Sequence, residues 1–332
     1  MSELKLLIIG AGQIGSRHLQ SLAKLQRSSD IYVIDPSINA LQLAKERYNE
    51  VINTVLTPNN HTTCFSTDYE NIPAEIDVAI IATTSNHRLE AIKILLKKTH
   101  PENIILEKIV FQDPRDFIVA QNMFETAKSS VWVNCPRRFW RGYQQVREEF
   151  KTSSAQQNLM LITGSKWGLC CNSIHFLDLY SFITGNSDLK LYSDQLDKKI
   201  LSAQRNGFIE LSGILHGNDS LGGQFLIKDY ERGNIPLIAY FENKDIRCYV
   251  DETQGMVNLS KSINNWHWEK IPLQPLLQSE LTHLYVDQIL ETETCTLPTF
   301  KDSWKIHTPL LEAFITHINK VTNTEHSACP IT

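Results

Sequence analysis

The feature that most constrains this chain lies at its beginning, where an apolar run leads directly into a glycine-rich turn. Residues 4–9 read Leu-Lys-Leu-Leu-Ile-Ile, which predicts a buried strand, and G-A-G-Q-I-G follows at 10–15. A second apolar run at 31–34 ends on Asp35, twenty positions beyond Gly15. Strand, G-x-G-x-x-G turn, helix, strand and terminal acid in this order indicate a dinucleotide-binding βαβ unit.

The spacing of the glycines has a chemical reason. Gly10 permits the tight turn, Gly12 lets backbone amides approach a pyrophosphate, and Gly15 lets the helix pack closely on the strand. The phosphates then lie at a helix N-terminus, where free N–H groups and the macrodipole favour negative charge. Asp35 can accept hydrogen bonds from the adenosine ribose and would repel a 2′-phosphate, so we expect NAD to be preferred over NADP.

Length and composition predict an ordinary two-domain protein with a small-molecule partner. The 332 residues exceed what one hydrophobic core usually serves. With 42% hydrophobic residues, 21% charged residues and a net charge of -5, the chain has no basic excess for nucleic acid or an anionic membrane. No leader pattern and no membrane-spanning apolar run are evident, so we expect a cytoplasmic protein. Seven scattered cysteines without a C-x-x-C pair predict reduced thiols and no metal site.

Strand and helix patterns alternate through the first part of the chain. Further strands are predicted at 77–82, 103–107 and 131–134, and helices at 40–48, 89–98 and 113–128. Such alternation with short connections predicts a doubly wound parallel sheet, which binds ligands at the carboxyl ends of its strands. These ends carry Gly10, Asp35, Thr83, Glu107 and Asn134.

Past residue 150 the pattern changes to short strands separated by turn signals. Strands are predicted at 208–215, 221–230, 237–242, 247–251, 256–260 and 266–271, turns at 217–219, 233–234 and 254–255, and closing helices at 276–290 and 304–321. We therefore expect a dinucleotide-binding domain at 1–130 and a substrate-binding domain at 131–332, built on an antiparallel sheet of about six strands. One face of such a sheet is left uncovered, which predicts a homo-oligomer formed through it.

Lys108 and His175 are the candidate proton-transfer groups. Lys108 follows Glu107 at the carboxyl edge, where its ammonium could hydrogen-bond a substrate oxygen; the alternative is a solvated loop lysine. His175 shares a predicted helix face with Asp178 and titrates near neutral pH, although a histidine among apolar neighbours is often only a core residue. Asp178 either orients the imidazole or is a structural helix acid.

Four more residues near these candidates have open interpretations. Arg137 and Arg138 follow a strand end and are either a surface pair or include one arginine that faces the cofactor or an anionic substrate. Trp167 either walls a pocket or fills the core. Cys171, like its neighbour at 170, is not expected to be a nucleophile, because the sequence places no histidine to activate either thiol.

The ordered set of motifs resembles the glucose-fructose oxidoreductase and inositol dehydrogenase family, often called Gfo/Idh/MocA. The resemblance is carried by segments at 10–18, 77–83, 107–108, 134–139 and 175–178 and spans essentially all 332 residues. It implies a Rossmann domain followed by an α/β domain on a large, open, mostly antiparallel sheet. It also implies NAD(P)-dependent oxidation or reduction of a sugar or cyclitol, with Lys108 and His175 in proton transfer.

Two positions depart from the family pattern. Ile109 stands where the family often has proline, which puts a special backbone turn after Lys108 in question. Cys171 stands four residues before His175, where many members have an aspartate. Neither Cys171 nor Asn172 is a carboxylate, so the polar relay rests on Lys108 and His175, with Asn172 positioning a hydroxyl.

The segment at 167–178, together with L-P-T at 297–299 and C-P-I-T at 329–332, resembles a branch found among surface-polysaccharide genes. This implies an activated sugar as substrate. The prediction is therefore an NAD-dependent oxidoreductase that transfers hydride between nicotinamide and a sugar or nucleotide-sugar carbon. A non-catalytic NAD-binding sensor or scaffold is the alternative.

The predicted catalytic residues are Lys108, His175 and Asn172. The predicted cofactor-binding residues are Gly10, Gly12, Gln13, Ile14, Gly15, Asp35, Thr83, Thr84, Asn86, Glu107, Lys108 and Arg138.

Overall fold

The computed structural model describes residues 3–54 and 60–332, which form two compact units. Of the described residues, the first unit contains those within Met1–Phe111, Arg115–Pro136 and Leu276–Phe300, and the second contains Gln112–Pro114, Arg137–Pro275 and Lys301–Thr332. The sequence-based division at residue 130 assumes two continuous segments. The units instead interleave, because residues 276–300 return to the first unit.

The described helices are distributed over both units. They are α1 (Gln13–Leu22), α2 (Ile38–Ile52), α3 (Ser85–Lys98), α4 (Arg115–Ala127), α5 (Arg141–Thr152), α6 (Leu169–Thr184), α7 (Thr282–Thr292) and α8 (Phe300–Thr322). Within the part of the chain that is described, none of them is long and apolar enough to cross a membrane.

The first unit is built on a parallel sheet. Its strands are β1 (Leu4–Ile9), β2 (Ser29–Ile34), β3 (His61–Ser66), β4 (Glu75–Ile81), β5 (His100–Glu107) and β6 (Ser130–Asn134). They lie in the order β3-β2-β1-β4-β5-β6, and all neighbouring strands are parallel. The predicted doubly wound sheet is confirmed. Its strand order reverses between β1 and β4, which is where ligands of such sheets bind.

Buried apolar side chains explain the central position of β1. Leu6, Leu7 and Ile8 are fully buried although successive side chains point to opposite faces of the sheet. Helices must therefore cover both faces, as in other parallel sheets.

An aromatic cluster attaches the returning segment to the first unit. Phe300 stacks on Phe117 with ring centroids 5.7 Å apart and meets Phe124 edge-on at 5.1 Å. Phe111 also packs edge-on against Phe117 at 5.0 Å. Such pairs contribute about 0.5–1.5 kcal/mol each beyond burial of their area. The segment at 276–300 therefore joins a unit from which it is more than 100 residues distant in sequence.

The second unit is built on a mostly antiparallel sheet. Its strands are β7 (Leu159–Ser165), β8 (Leu189–Leu196), β11 (Gly213–Asp219), β12 (Gln224–Tyr230), β13 (Ile238–Glu242), β14 (Ile246–Asp251), β15 (Met256–Lys261) and β16 (Trp268–Pro272), while β9 (Leu201–Ser202) and β10 (Ile209–Glu210) form a separate pair. The order is β16-β15-β14-β13-β7-β12-β11-β8, and only β7 and β12 pair in parallel among these described neighbours.

Several predictions for the second unit are wrong in detail. The sheet has eight strands rather than about six, because the sequence reading omitted β7 and β8. The predicted strand at 208–215 is divided between β10 and β11, and Gly213, with a φ of 101°, begins β11. The turn predicted at 217–219 lies inside β11. Gly217 is required there by packing, since an added Cβ would lie 2.1 Å from the carbonyl oxygen of Lys190 and 2.5 Å from the Phe225 ring.

The helix predicted at 276–290 begins later than expected. A 3₁₀ turn at Gln278–Glu280 precedes α7, and Glu280 accepts a hydrogen bond from the backbone N–H of Leu277 at 2.9 Å. The closing helix predicted at 304–321 is confirmed and extends from Phe300 to Thr322.

Candidate active site

Close backbone packing explains two glycines of the turn after β1. Gly10 has a φ of 97°, and an added Cβ would lie 2.9 Å from the carbonyl carbon of Ala82. A Cβ at Gly15 would lie 1.7 Å from the carbonyl oxygen of Gly10. Neither position has room for a side chain: Gly10 is fixed by the close approach of the backbone after β4, and Gly15 by the close approach of α1 to the turn.

The third glycine faces open space instead. A Cβ at Gly12 would meet nothing within 4 Å, and Gly12, Gln13 and Ile14 are exposed. Helix α1 begins at Gln13 without a side-chain hydrogen bond to its first turn. Its first amide N–H groups are therefore available to an anion, which favours phosphate binding at this position.

Asp35 connects the glycine turn to the end of β2. Its carboxylate accepts hydrogen bonds from the backbone N–H of Ala11 at 2.7 Å and of Ser37 at 2.8 Å. A carboxylate has about four acceptor positions, so two amide bonds leave capacity for a ribose hydroxyl. Asp35 thus has a structural role in addition to the one expected from the sequence.

The turn after β4 carries a hydroxyl group suited to a ligand. Thr83 Oγ1 is buried and has no hydrogen-bond partner among the described residues. Thr84 precedes the first residue of α3 without capping it through its side chain, and Asn86 is exposed. The open space beside Gly12, the uncapped helix and this orphaned hydroxyl together fit a dinucleotide at the carboxyl edge.

Glu107 lies at the end of β5 and is held by hydrogen bonds within the first unit. It is 7% exposed, and its Oε1 accepts hydrogen bonds from Asn134 and, at 2.8 Å, from Nε2 of His18. Burial acts to raise the pKa of Glu107, but these hydrogen bonds and the nearby Arg88 charge outweigh it and hold the pKa below its ordinary value. The carboxylate predicted to bind cofactor therefore has internal partners.

The same network reaches the returning segment of the chain. Gln278 accepts a hydrogen bond from Asn134 at 2.8 Å and donates one to Thr282 at 3.0 Å. The Thr282 hydroxyl lies 2.8 Å from Nδ1 of His18. The sequence analysis did not identify Gln278 and Thr282, since nothing local indicates that they meet the edge of the parallel sheet.

Lys108 lies half-buried at the same edge. The two residues that follow it, Ile109 and Val110, are fully buried, and the Lys108–Ile109 peptide bond is cis. The carbonyl oxygens of Ile109 and Val110 accept hydrogen bonds from Arg88. Arg88 is not among the site residues predicted from the sequence.

In the second unit, Arg138 and Asp178 form a buried bidentate pair. Arg138 Nε and Nη2 donate to the two carboxylate oxygens of Asp178 at 2.8 and 2.7 Å. Burial raises the pKa of Asp178, and the Arg138 guanidinium opposes that shift. Both Asp178 oxygens thus bind Arg138, whereas the sequence left open whether Asp178 orients His175 or is a structural helix acid. The predicted contact of Arg138 with cofactor stays a prediction.

Arg137 is similarly engaged. Its Nε and Nη2 donate to the Glu252 carboxylate at 2.7 and 2.8 Å, and the guanidinium lies 4.8 Å from the centroid of the Phe176 ring. The side chains of Arg137 and Glu252 are only 14% and 12% exposed. The interpretation of Arg137 and Arg138 as a surface pair is therefore wrong.

His175 lies on α6 and is 7% exposed. The helix follows Gly168, whose φ is 79°. At its first turn, Glu210 accepts hydrogen bonds from the backbone N–H groups of Cys170 at 2.8 Å and Cys171 at 3.3 Å. A carboxylate is favourable at a helix N-terminus because it satisfies free amides and the dipole.

A second carboxylate lies beside the same turn. Asp229 accepts hydrogen bonds from the backbone N–H groups of Lys166 at 2.7 Å and Gly168 at 3.1 Å. Burial raises the pKa of Asp229 against these hydrogen bonds, and the negative charge of Glu210 adds to the rise. Neither carboxylate is predicted from the sequence, because each comes from a strand distant in sequence from α6.

Asn172 and Trp167 complete the surroundings of this helix start. Asn172 Nδ2 donates to the carbonyl oxygen of Trp167 at 2.6 Å. The Trp167 indole donates to the carbonyl oxygen of Lys228 at 3.0 Å and packs edge-on against Phe176 at 5.6 Å. These contacts hold the turn before α6, and the catalytic role of Asn172 stays a prediction.

Comparison with known proteins gives a family match over the first part of the chain and a fold match over nearly all of it. Residues 4–135 match the Gfo/Idh/MocA family model, described as an oxidoreductase family with an NAD-binding Rossmann fold. Over these residues the match agrees with the resemblance identified from the motifs. No curated protein gives a significant match.

Solved structures resemble the chain over nearly its whole length. UDP-N-acetylglucosamine 3-dehydrogenase from Acidithiobacillus ferrooxidans has a TM-score of 0.71 at 13% identity, covering 97% of this chain and 100% of that one. An oxidoreductase from Agrobacterium radiobacter, in complex with NAD+, L-tartaric acid and magnesium, has a TM-score of 0.71 at 14% identity, covering 96% and 97%. Levoglucosan dehydrogenase with NADH and levoglucosan has a TM-score of 0.70 at 11% identity, covering 96% and 98%. At these identities the likeness shows the fold.

Proposed function

We propose that this chain, whose residues 4–135 match the Gfo/Idh/MocA oxidoreductase family model, is an NAD-dependent dehydrogenase or reductase of sugars. The observation that carries the proposal is the uncapped first turn of α1 beside Gly12, at the point where the strand order reverses. The nicotinamide of bound NAD supplies or accepts hydride. The exposed amides of 12–14 would hold the pyrophosphate, and Asp35 the adenosine ribose.

Two side chains are proposed to handle the hydroxyl proton. Lys108 would hydrogen-bond the reacting oxygen and stabilise negative charge that develops on it. His175 would accept the proton during oxidation and return it during reduction, because an imidazole titrates near neutral pH. Asn172 would position a substrate hydroxyl. The half-buried position of Lys108 at the carboxyl edge supports the assignment of the lysine.

The proposed substrate is a sugar or nucleotide sugar. Two structural neighbours are by their descriptions dehydrogenases of UDP-N-acetylglucosamine and levoglucosan, which supports a sugar as the substrate class. The resemblance to a surface-polysaccharide branch favours an activated sugar. A cytoplasmic location and a place in polysaccharide synthesis stay predictions from the sequence.

Nicotinamide absorbance with a panel of free and nucleotide-activated sugars tests the proposal. We expect at least one sugar to change the absorbance, and we expect NAD to raise the melting temperature, since a ligand that binds only the folded state stabilises it. Stabilisation by NAD without turnover across the panel would favour the alternative of a sensor or scaffold. Absence of NAD stabilisation would contradict both hypotheses.

Asp35 is expected to set the preference for NAD. The unmodified protein should bind NADH more tightly than NADPH, because the carboxylate accepts the ribose hydroxyls and repels a 2′-phosphate. Asp35→Asn should narrow this difference while keeping an acceptor for the amide of Ala11. Titration by nicotinamide fluorescence measures both affinities. Tighter binding of NADPH by the unmodified protein would contradict the assignment.

The uncovered face of the second unit's sheet is the proposed interface of a homo-oligomer. Strand register places Leu226 beside Leu161, Leu161 beside Tyr240 and Tyr240 beside Tyr249. These four neighbouring side chains are all partly exposed, whereas residues that alternate with them, such as Phe225, are buried. An apolar row across four strands is typically buried in an assembly, and a second copy presents the same row.

Leu161→Glu tests this interface. We expect the unmodified protein to sediment as a dimer or larger assembly and the variant as a monomer, because an unpaired carboxylate in an apolar interface is costly. Leu221→Glu is the matched control, since Leu221 is 50% exposed in the turn that joins β11 and β12. A monomeric unmodified protein at micromolar concentration would contradict the proposal.

A further inference from the structure

The geometry points to Arg88 as a positioning residue that fixes the backbone after Lys108 to the turn after β4. The inference rests on the proposed role of Lys108. Arg88 lies on α3, is 1% exposed, and donates hydrogen bonds to main-chain carbonyls. Its function must therefore act through other groups.

The hydrogen bonds of Arg88 go to main-chain carbonyls on two separate segments. Nη1 donates to the carbonyl oxygens of Ile109 and of Val110, the latter at 2.8 Å. Nη2 donates to the carbonyl oxygen of Thr83. A buried guanidinium is costly unless its N–H groups are satisfied, so these bonds are strongly maintained. Arg88 thus joins the residues after Lys108 to the turn that carries Thr83.

The planar guanidinium of Arg88 suits the bridging of two main-chain segments better than any other side chain. It presents several donors in a fixed fork, and here two nitrogens reach three carbonyl oxygens. A lysine at position 88 would keep the charge but offers one nitrogen, which cannot span both segments. Arg88→Lys is therefore the variant that removes the bridging geometry while leaving a buried cation.

Lys108 consequently lies between two anchored neighbours. On its N-terminal side, Glu107 is held by His18 and Asn134. On its C-terminal side, Ile109 is held by Arg88. Fixing the backbone on both sides limits where the ammonium can lie, and a displacement of about 1 Å at a reacting group can cost about a hundredfold in rate.

The link to Thr83 extends the same constraint to the predicted cofactor-binding residues. Thr83 carries the buried hydroxyl without a partner among the described residues, and its own carbonyl is the one that Arg88 binds. Arg88 therefore fixes the backbone that follows Lys108 and the turn that carries Thr83 relative to each other. A purely structural role for Arg88 predicts lower stability but unchanged turnover per folded molecule.

Steady-state kinetics of Arg88→Lys and Arg88→Ala in the full chain separate the positioning role from a purely structural role. Arg27→Ala is the control. Arg27 makes an exposed ion pair with Glu291 at 3.3 Å. We expect kcat of Arg88→Lys to fall about a hundredfold with KM for NAD within about threefold. Guanidinium ion at millimolar concentration should restore part of kcat in Arg88→Ala and leave Arg27→Ala unchanged. Turnover of Arg88→Lys within threefold of the unmodified protein would overturn the inference.

Chemical labelling of Lys108 provides a readout that needs no turnover. Each folded protein is treated with an amine-acetylating reagent with and without NADH, and mass spectrometry compares Lys108 with exposed Lys98. We expect Arg88→Lys to raise the labelling rate of Lys108 about fivefold or more by loosening its segment, without a change at Lys98. Equal Lys108 rates in both proteins would overturn the inference. A changed rate in a protein that turns over no sugar would support the positioning role and contradict the proposed reaction.

Discussion

Lys108→Ala is expected to lower kcat about a hundredfold or more, the usual effect of losing a positioned acid-base group. The variant should retain NAD affinity within a fewfold, because Lys108 is proposed to act on the substrate oxygen rather than on the phosphates or ribose. Steady-state kinetics with the best sugar of the panel, together with NADH titration, measure the two effects separately. Near-normal turnover on that sugar would show that the lysine has another role.

His175→Ala should give a reduction of the same order, since the imidazole is proposed to exchange the hydroxyl proton. Cys171→Ala is the matched control on the same helix, because its thiol is half-exposed and is not proposed to take part in the reaction. We expect Cys171→Ala to retain most of the activity. Loss of activity in Cys171→Ala would assign a role to the thiol, and full activity in His175→Ala would remove the histidine from the mechanism.

The part of the site that could be predicted from sequence is the part whose residues lie close together in the chain. Gly10, Gly12 and Gly15 are close together in the turn and the first turn of α1, so their spacing predicts their relation to phosphate. The apolar runs of β1 and β4 similarly indicate strands buried on both faces. In each case the determining interactions lie within a few residues or within one repeated strand-helix pattern.

The remaining features depend on contacts between distant segments. Glu210 reaches the first turn of α6 from a strand about 40 residues away, and Gln278 reaches Asn134 from 144 residues away. Arg88 lies on an ordinary helical pattern, and nothing near it indicates a buried side chain. Such pairings arise from the topology of the whole chain, which a reading of local periodicity does not contain.

Two strands of the second unit, β8 and β11, were predicted incorrectly. β8 alternates between buried or half-buried and exposed residues, so a period-two signal exists there. β11 was predicted incorrectly because Gly217 resembles a turn residue. Gly217 lies inside the strand, where a Cβ would collide with the carbonyl oxygen of Lys190 and with the Phe225 ring. A glycine either adopts a backbone conformation that other residues avoid or leaves room for a neighbouring group to pack closely. Sequence alone does not distinguish these two roles.

The second large effect is expected at Gly12, in the glycine-rich turn after β1. Gly12→Ala should weaken NADH binding on the order of tenfold or more, because the added methyl group occupies the open space that the pyrophosphate needs. It should leave the melting temperature of the free protein almost unchanged. Gly12 has a φ of -63°, which alanine adopts without strain, and its Cβ would meet nothing within 4 Å.

Gly15→Ala is the matched variant with the opposite expected outcome. Its Cβ would lie 1.7 Å from the carbonyl oxygen of Gly10, so the helix must move or the protein must unfold. We expect a loss of about 3 kcal/mol or more in the free energy of unfolding, the upper range for overpacking, since a backbone oxygen cannot yield as a side chain can. Denaturant unfolding and NADH titration of both variants measure this separation. If Gly12→Ala instead lowers stability as much as Gly15→Ala, the space beside Gly12 is filled by the protein itself, and the proposed phosphate site is wrong.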